Sequence, residues 1–165
     1  MPDRFVLVLM GVSGSGKTTI GRLLAARLGW QYAEADDFHS AANVAKMAAG
    51  QPLTDDDRWP WLQSIAAWID ARIAKREPAV VTCSALKRKY RDLLRRPEVQ
   101  IVFLTGSFDE IAQRVAARRD HYFKVDLLAS QFAALEVPSA DEHAITVPFG
   151  GDPSEVVEGI IAVAI

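Results

Sequence analysis

The sequence predicts an α/β fold in which a parallel β-sheet is flanked by helices. Residues 79–83 and 100–104 are continuous apolar runs, which are typical of parallel strands covered on both faces. A third apolar run, residues 5–10, is followed directly by a glycine-rich turn and then by a helical pattern. Strands that alternate with helices in this way indicate an open, doubly wound sheet, with ligands outside the carboxyl ends of its strands.

The first half of the chain is predicted to supply two strands and two helices. After the glycine-rich turn, apolar residues recur at helical spacing up to Gly29, which stands where a left-handed C-terminal cap belongs. Residues 30–33 are predicted to form a short second strand that ends at a group of carboxylates. Residues 39–59 form a long connection, and Pro60 suits the first position of the next helix.

The second half continues the alternation. Helices are predicted over residues 108–118 and 127–135, and a further strand is predicted over residues 144–147. Asp152 and Pro153 supply the N-cap and the first position of a closing helix. No internal repeat or linker interrupts the pattern, so we expect residues 1–165 to form a single domain.

Composition and cysteine content restrict the partners and the compartment. The chain is 50% hydrophobic and its formal net charge is −2, so we expect no nucleic acid partner. Cys83 is the only cysteine, which rules out an intrachain disulfide and fits a reducing compartment. The apolar run at residues 5–10 is far too short for a signal sequence or a membrane span. We therefore expect a cytoplasmic protein with no membrane partner.

Residues 11–18 match the pattern G-x-x-x-x-G-K-[ST] between a strand and a helix, which is the context of a phosphate-binding loop. They read Gly11, Val12, Ser13, Gly14, Ser15, Gly16, Lys17 and Thr18, and Thr19 completes the predicted ATP-binding set. Lys17 is predicted to reach the β- and γ-phosphates, and the Thr18 hydroxyl to bind Mg²⁺ directly. The alternative is a flexible glycine turn, but the strand before it and the helix after it count against that reading.

Three classes of phosphate-loop protein compete, namely GTPase switches, ATP-driven motors and small-molecule kinases. The chain lacks N-K-x-D and D-x-x-G, which a GTPase uses for guanine and for its switch. A motor has a strand that ends in an acidic pair, whereas the apolar strands here end at Cys83-Ser84 and Thr105-Gly106. The pattern therefore favours a kinase that phosphorylates a small molecule.

Such a kinase must hold an acceptor hydroxyl in line with the γ-phosphate and exclude water. Asp36 is predicted to position that hydroxyl and to receive its proton late in the transfer. Glu34 is predicted to hold Mg²⁺ through water. The alternative for both carboxylates is a solvated turn at the end of a strand.

Basic residues near the end of the predicted helix 108–118 indicate a mobile lid. Arg114 and Arg118 are four residues apart and therefore share a helix face. Arg118 is predicted to stabilise charge on the transferring phosphoryl group. The alternative is a solvated basic helix end.

Another set of polar and cationic residues lies on segments expected to meet the strand ends. Arginine forks bind carboxylates in bidentate fashion, and neighbouring polar groups pair with hydroxyls, so an acidic polyol is the predicted acceptor. The alternative for each residue is solvation at the surface. The predicted acceptor-binding residues besides Asp36 are His39, Arg58, Lys87 and Arg91.

The sequence resembles the bacterial-type thermoresistant gluconokinases over nearly the whole chain. Besides the phosphate loop, the blocks that carry the resemblance are Asn43-x-x-Lys46-Met47, Pro52-Leu53-x-Asp55-Asp56-Asp57-Arg58, Cys83-Ser84-Ala85-Leu86-Lys87-x-x-Tyr90-Arg91-Asp92, His121-x-Phe123-Lys124 and Gln131-Phe132-x-x-Leu135-Glu136-x-Pro138. The resemblance implies a three-layer, nucleoside-monophosphate-kinase-like P-loop NTPase fold with a helical lid at about residues 118–136. It also implies that D-gluconate is phosphorylated at its 6-hydroxyl by MgATP, and that two copies form a homodimer.

By this resemblance, Asp36 is the acceptor-side aspartate, and Arg114 and Arg118 lie at the nucleotide and the lid. Glu34 departs from the family, which usually has aspartate there, so its assignment to Mg²⁺ depends on a water-mediated contact. The cations expected to face gluconate are Arg58, Lys87 and Arg91.

The sequence is also compatible with functions other than gluconate phosphorylation. Shikimate kinases share the fold, the phosphate loop and a paired-acid strand end but use a different hydroxy acid, and nucleotide kinases share the fold. A non-catalytic nucleotide-binding regulator is the alternative from another class. It would need no acceptor pocket, so the predicted clustering of Asp36, Arg58, Lys87 and Arg91 counts against it.

Overall fold

A five-stranded parallel sheet forms the centre of this computed structural model, which describes residues 3–12, 14–116, 125–148 and 150–165. The side chains of residues 114–116 and 125–127 lie outside that description. The strands are β1 (Val6–Met10), β2 (Gln31–Glu34), β3 (Ala79–Thr82), β4 (Val99–Thr105) and β5 (Ile145–Pro148). Their order across the sheet is β2-β3-β1-β4-β5, so β1 lies in the middle.

Within the described residues, seven α-helices accompany the sheet, and none of them is long and apolar enough to span a membrane. In chain order they are α1 (Lys17–Leu28), α2 (Ala41–Ala48), α3 (Asp55–Ala74), α4 (Arg88–Leu94), α5 (Phe108–Ala116), α6 (Val125–Ala134) and α7 (Pro153–Ala164). Two short 3₁₀ helices follow β2 and precede β5, at Ala35–Phe38 and Ala140–Glu142.

Helices cover both faces of the sheet. Successive side chains of the central strand β1 point to opposite faces, and each set packs against helices. On one side, Val8 belongs to a buried cluster with Leu62 of α3. On the other side, Leu9 belongs to a cluster with Leu24 of α1 and Ile160 of α7. The three-layer α/β fold predicted from the sequence is thereby confirmed.

A third apolar cluster lies at the carboxyl edge of the sheet. It contains Val12 after β1, Leu86 after β3, Ile111 of α5 and Leu128 of α6, and all four residues are buried. The loop after β1 is therefore packed together with the segments that follow β3 and β4.

The third helix begins earlier than the sequence predicts. Pro60 is not its first residue, since α3 begins at Asp55 and Pro60 lies in its second turn. The Thr54 hydroxyl accepts from the Asp57 backbone N–H at 3.1 Å, and the Asp57 carboxylate accepts from the Thr54 N–H at 2.9 Å. This capping box satisfies two backbone donors, so it outweighs the preference of proline for the first position.

Other helix ends include both confirmed and missed predictions. Gly29 has φ 67° and caps α1, and the Asp152 side chain accepts from the Ser154 N–H at 3.0 Å, both as predicted. Residues 39–59, where the sequence predicts only a connection, contain α2. Its eight residues are too few for a clear apolar period, and its start depends on the cap that Ser40 provides.

Gly21 of α1 is closely packed against the sheet, whereas Gly159 of α7 has open space around it. The first glycine tests how closely α1 packs on the sheet, and the second is its control. A Cβ atom at Gly21 would lie 2.7 Å from the Thr82 Cγ2 atom and 2.9 Å from the Tyr32 Cε1 atom, whereas one at Gly159 would meet nothing within 4 Å. We expect Gly21→Ala to lower the free energy of unfolding by about 1–3 kcal/mol. We expect Gly159→Ala to raise it by up to about 1 kcal/mol. Urea unfolding measures both, and equal stability of the two variants would contradict the close packing.

Candidate active site

The loops that follow β1, β2 and β3 meet at one edge of the sheet. Parallel strands bring their carboxyl ends to the same edge, and β3 lies between β1 and β2. The Gly11 backbone N–H donates to the Ser84 carbonyl at 3.3 Å, so the loop after β1 contacts the loop after β3. The predicted phosphate loop and the predicted acceptor residues are therefore carried by adjacent segments.

The phosphate loop is closely packed at its first glycine. A Cβ atom at Gly11, whose φ is 152°, would lie 2.8 Å from the Leu104 carbonyl oxygen. Gly16 has φ 89° and caps the start of α1. The first N–H groups of a helix have no partner within it and favour an anion, so this end of α1 suits a phosphate.

Two polar side chains of the loop differ in their partners. Ser15 is 2% exposed, and its hydroxyl has no hydrogen-bond partner within the described part of the chain. The Lys17 Nζ atom donates to the Gly11 carbonyl at 2.8 Å and to the Val12 carbonyl at 3.0 Å. Lys17 is therefore held at the loop where the predicted phosphates would bind, and the buried Ser15 hydroxyl lies in the same loop.

Burial lowers the pKa of the Lys17 ammonium to about 8, although Asp36, Cys83 and Glu34 act to raise it. The ammonium is charged at neutral pH and loses its proton only slightly above it. The affinity of the loop for an anion should therefore depend on pH in that range.

Oxygen ligands for a metal ion lie beside the loop. The Thr18 hydroxyl donates a hydrogen bond to the Glu34 carboxylate at the end of β2, and the Arg22 Nη2 atom lies 3.8 Å from that carboxylate. Hydroxyl and carboxylate oxygens are ligand types that suit Mg²⁺. Among the described residues, no group of three or more His, Cys, Asp or Glu side chains forms a metal site. Any Mg²⁺ here would depend on Thr18, Glu34 and the phosphates together.

Asp36 lies in the 3₁₀ helix directly after β2, with an exposed carboxylate. Its negative charge acts to raise the pKa of Lys17 on one side and of His39 on the other. The pKa of His39 is nevertheless lowered, first by burial and also by the charge of Arg58. Asp36 is therefore within electrostatic reach of both the phosphate loop and the predicted acceptor residues.

The imidazole of His39 is held from two sides. It stacks on Trp61 with ring centroids 4.2 Å apart, and its Nδ1 atom lies 3.3 Å from the Asn43 Nδ2 atom. The Asn43 amide also donates to the Asp57 carbonyl at 2.9 Å, and the Trp61 indole donates to the Ala35 carbonyl at 2.6 Å. These contacts tie the 3₁₀ helix, α2 and α3 together around His39.

Arg58 and Lys87, both predicted to bind the acceptor, lie close to Tyr90. The Arg58 Nη1 atom donates to the Tyr90 hydroxyl at 3.2 Å. The Lys87 Nζ atom lies 5.8 Å from the Tyr90 ring centroid and 3.5 Å from the Asp55 Oδ1 atom. The structure thus brings the two predicted cations together across α3 and α4.

Arg91 does not face this site, which corrects the prediction that it binds the acceptor. Its side chain is 1% exposed, and its Nε and Nη2 atoms donate to the Glu142 carboxylate at 2.7 and 3.2 Å. Its Nη1 atom donates to the carbonyls of Ala85 and Leu86 at 2.9 and 3.1 Å. The guanidinium makes four hydrogen bonds inside the protein, and two of them hold the segment that leads to Lys87.

Some predicted residues fall outside the description. Arg118 and Ser13 lie outside the described residues, as does the side chain of Arg114, whose backbone belongs to α5. The predicted lid at about residues 118–136 is described only from residue 125 onward, where α6 begins.

Cys83 lies beside the site as a buried residue at the end of β3, as predicted. It is 2% exposed, and burial raises the pKa of its thiol to about 12. The thiol therefore stays protonated near neutral pH, which argues against a nucleophilic role.

Four residues with defined places around the site are missed by reasoning from single residues. The type and position of Asp55 alone assign it no role at the site, and Glu142 has no local pattern that links it to Arg91. Asn43, Asp55 and Tyr90 could have been found because they lie in the blocks of the family resemblance. The four residues are Asn43, Asp55, Tyr90 and Glu142.

Comparisons with known proteins agree with the geometry. The sequence model of the shikimate kinase family matches residues 13–145. A gluconokinase from Gluconobacter oxydans is 48% identical, over 94% of this chain and 88% of that protein. The thermoresistant gluconokinase of Escherichia coli is 41% identical, over 97% of this chain and 91% of the relative. A crystal structure of a gluconokinase from Sinorhizobium meliloti has a TM-score of 0.85 and 43% identity, over 96% of this chain and 91% of that one.

ATP affinity should fall as the pH rises through the pKa of Lys17, about 8. The protonated ammonium is predicted to bind the phosphates, so the dissociation constant should rise about tenfold between pH 7 and pH 9. Calorimetric titration with a non-hydrolysable ATP analogue at both pH values measures this change. The matched variant Lys17→Arg keeps its charge throughout and should lose the pH dependence. Equal pH dependence in both proteins would contradict the assignment to Lys17.

Removing one partner of the buried ion pair of Arg91 and Glu142 should lower the free energy of unfolding much more than replacing both partners with apolar residues. Arg91→Met leaves the Glu142 carboxylate without its main partner and should lower the free energy of unfolding by about 3–5 kcal/mol. The double variant with Glu142→Leu should recover much of that loss. The exposed pair of Arg96 and Asp70 provides the control, since Arg96→Met should cost at most about 1 kcal/mol. Urea unfolding that gives equal losses for the single and double variants would show that the unpaired charge is not the cause.

Proposed function

This chain belongs to the gluconokinase family of P-loop kinases, and we propose that it transfers the γ-phosphoryl group of ATP to the 6-hydroxyl of D-gluconate. ADP and 6-phospho-D-gluconate are the products. The observation that carries the proposal is the position of Asp36, whose charge reaches Lys17 of the phosphate loop and His39 beside α3. A kinase requires such a junction because the phosphoryl group and the acceptor hydroxyl must meet at one point.

On the nucleotide side, residues 11–19 bind the phosphates of ATP. The loop and the first turn of α1 offer backbone N–H groups to anionic oxygens, and Lys17 adds a positive charge at the β- and γ-phosphates. When bound, Mg²⁺ neutralises charge that develops on the phosphate oxygens. Thr18 would hold it directly and Glu34 through water, a pairing that the hydrogen bond between their side chains supports.

On the acceptor side, Asp36 orients the 6-hydroxyl of gluconate. The bond from O6 to the γ-phosphorus forms while the bond from that phosphorus to the ADP oxygen breaks, and the hydroxyl proton passes to the Asp36 carboxylate. An alcohol is too weak an acid to ionise beforehand, so the proton moves late. His39 contacts the acceptor from its stack on Trp61, and Arg58 and Lys87 bind the acceptor carboxylate.

The lid arginines complete the proposal. Arg118 stabilises charge on the transferring phosphoryl group, and Arg114 contacts the nucleotide. The support for both roles is the family resemblance of the sequence.

Three further expectations belong to the same proposal. Residues 1–165 act as one kinase domain, two copies form a homodimer, and the protein works in the cytoplasm. The lone, buried Cys83 supports the last of these, because it fits a compartment in which disulfides do not form.

Shikimate is the second candidate acceptor, because the family model that matches residues 13–145 is that of shikimate kinase. Shikimate is also a hydroxy acid, so Asp36 and Arg58 suit it in the same roles. The relatives that are 41% and 48% identical over most of their length are gluconokinases, which favours gluconate.

The direct test is ADP release by the purified protein with MgATP, in parallel reactions with gluconate, shikimate, nucleoside monophosphates or no acceptor. We expect release that depends on gluconate and disappears in Lys17→Ala. Release that depends on shikimate instead would overturn the gluconate assignment. ATP binding without release under any acceptor would favour a non-catalytic regulator.

Asp36→Asn should lower kcat by about 10²- to 10⁴-fold, because the amide cannot accept the hydroxyl proton. Binding of ATP should stay within about twofold of the unchanged protein, since the phosphate contacts are kept. Asp37 is the adjacent exposed carboxylate in the same 3₁₀ helix, so Asp37→Asn is a matched control that should keep its rate. Steady-state kinetics with saturating gluconate measure both variants, and similar rates for the two would remove Asp36 from its role.

A further inference from the structure

Tyr90 of α4 is buried and contacts charged groups of α3 and α4. It is 3% exposed, its hydroxyl accepts from the Arg58 Nη1 atom at 3.2 Å, and it donates to the Asp55 carboxylate. A phenol has one proton to donate, and here that proton is directed to Asp55. The same oxygen atom therefore fixes Arg58 and Asp55 relative to each other.

Three cations gather around the Tyr90 ring. The Arg58 Cζ atom and the Lys87 Nζ atom each lie 5.8 Å from its centroid, and the Lys89 Nζ atom lies 5.9 Å away. A cation at such a distance is attracted by the face of an aromatic ring, but the ring supplies no compensating charge. We call Arg58, Lys87, Lys89, Tyr90 and Asp55 the Tyr90 cluster.

The Tyr90 cluster carries more positive than negative charge. Asp55 is its one carboxylate, and hydrogen bonds from Lys89 and then Tyr90 hold the pKa of Asp55 well below its usual range. Even with the charge of Glu136, which also reaches Lys89, the cations outnumber the carboxylates. The whole chain has a net charge of −2, so this local excess is suited to an anionic ligand.

The donors of Arg58 and Lys87 are only partly used. A guanidinium has five N–H donors, and within the described residues Arg58 gives one of them to a hydrogen bond, to Tyr90. The Lys87 Nζ atom reaches the Asp55 Oδ1 atom at 3.5 Å, which is a long contact, while Lys89 lies 2.5 Å from the other oxygen. Arg58 and Lys87 therefore keep donors for a second carboxylate.

We propose that Tyr90 and Asp55 determine acceptor specificity: Tyr90 orients Arg58 towards the carboxylate of the acceptor, and Asp55 is an internal carboxylate that competes with it for Lys87. This inference rests on the proposed function. The charges of Asp36 and Arg58 both reach His39, so the hydroxyl end and the carboxylate end of a hydroxy acid have separate partners around that imidazole. A neutral polyol would leave the remaining donors of Arg58 and Lys87 without a carboxylate, and it is rejected for that reason.

Tyr90→Phe is the first variant, since it keeps the aromatic ring and removes only the hydroxyl. We expect KM for D-gluconate to rise about 10- to 100-fold, as for a lost hydrogen bond to a charged group. KM for ATP and kcat should change less than about twofold, and the preference for D-gluconate over neutral D-glucitol should shrink. The matched control is Tyr32→Phe, whose hydroxyl lies 3.4 Å from the Thr82 Oγ1 atom and outside the Tyr90 cluster. If both variants leave KM and the preference unchanged, the role of Tyr90 is wrong.

Asp55→Asn tests the competing carboxylate and should act in the opposite direction. With the negative charge removed, Lys87 is free for the acceptor, and KM for D-gluconate should fall about two- to fivefold. General damage to the packing of α3 on α4 would raise KM for D-gluconate in both Tyr90→Phe and Asp55→Asn. Changes of KM in opposite directions therefore separate an effect on specificity from a loss of structure. A rise of KM in Asp55→Asn would overturn the competition.

The wild-type protein in the same assay tests the proposed function separately. If it phosphorylates shikimate rather than gluconate, the proposed function fails. The Tyr90 cluster is then tested with shikimate as the carboxylate, with the same expected signs for Tyr90→Phe and Asp55→Asn.

Discussion

Parallel pairing of β1 between β3 and β4 is the constraint on which the site depends. Val6 of β1 is in register with Ala79 on one side and Val99 on the other, so all three strands begin at one level and run towards the same edge of the sheet. The phosphate loop leaves the middle of that edge, and the hydrogen bond from Gly11 to Ser84 joins it to the loop after β3. The backbone thus brings the predicted phosphate loop close to the segment that carries Lys87, one of the predicted acceptor residues.

Features with a local cause were predictable from the sequence. The glycine motif, the cap at Gly29 and the cap at Asp152 each depend on residues a few positions apart, and the structure confirms them. The alternation of strands and helices was also predictable, because strands buried on both faces must be apolar throughout. The fold class, the phosphate loop and the placement of Asp36 after β2 all followed from such signals.

Features that depend on distant partners were not predictable in this way. Arg91 looks like a substrate ligand by residue type, but Glu142, 51 positions later, makes it an interior residue. The start of α3 was misjudged because two signals competed, and the capping box of Thr54 and Asp57 prevailed over Pro60. Tyr90 lies in a block of the family resemblance, but its contacts with Arg58 and Asp55 depend on the packing of α4 on α3, which no local pattern indicates.

The burial of Cys83 has a consequence for how the protein responds to oxidants. Peroxide attacks the thiolate and not the thiol, and exposure sets how fast it does so. A thiol that is 2% exposed, with a pKa of about 12, offers neither an ionised sulfur nor an open path. Because the chain has no other cysteine, its catalytic edge carries no reactive thiol, and phosphoryl transfer there should resist oxidants that inactivate thiol-dependent enzymes.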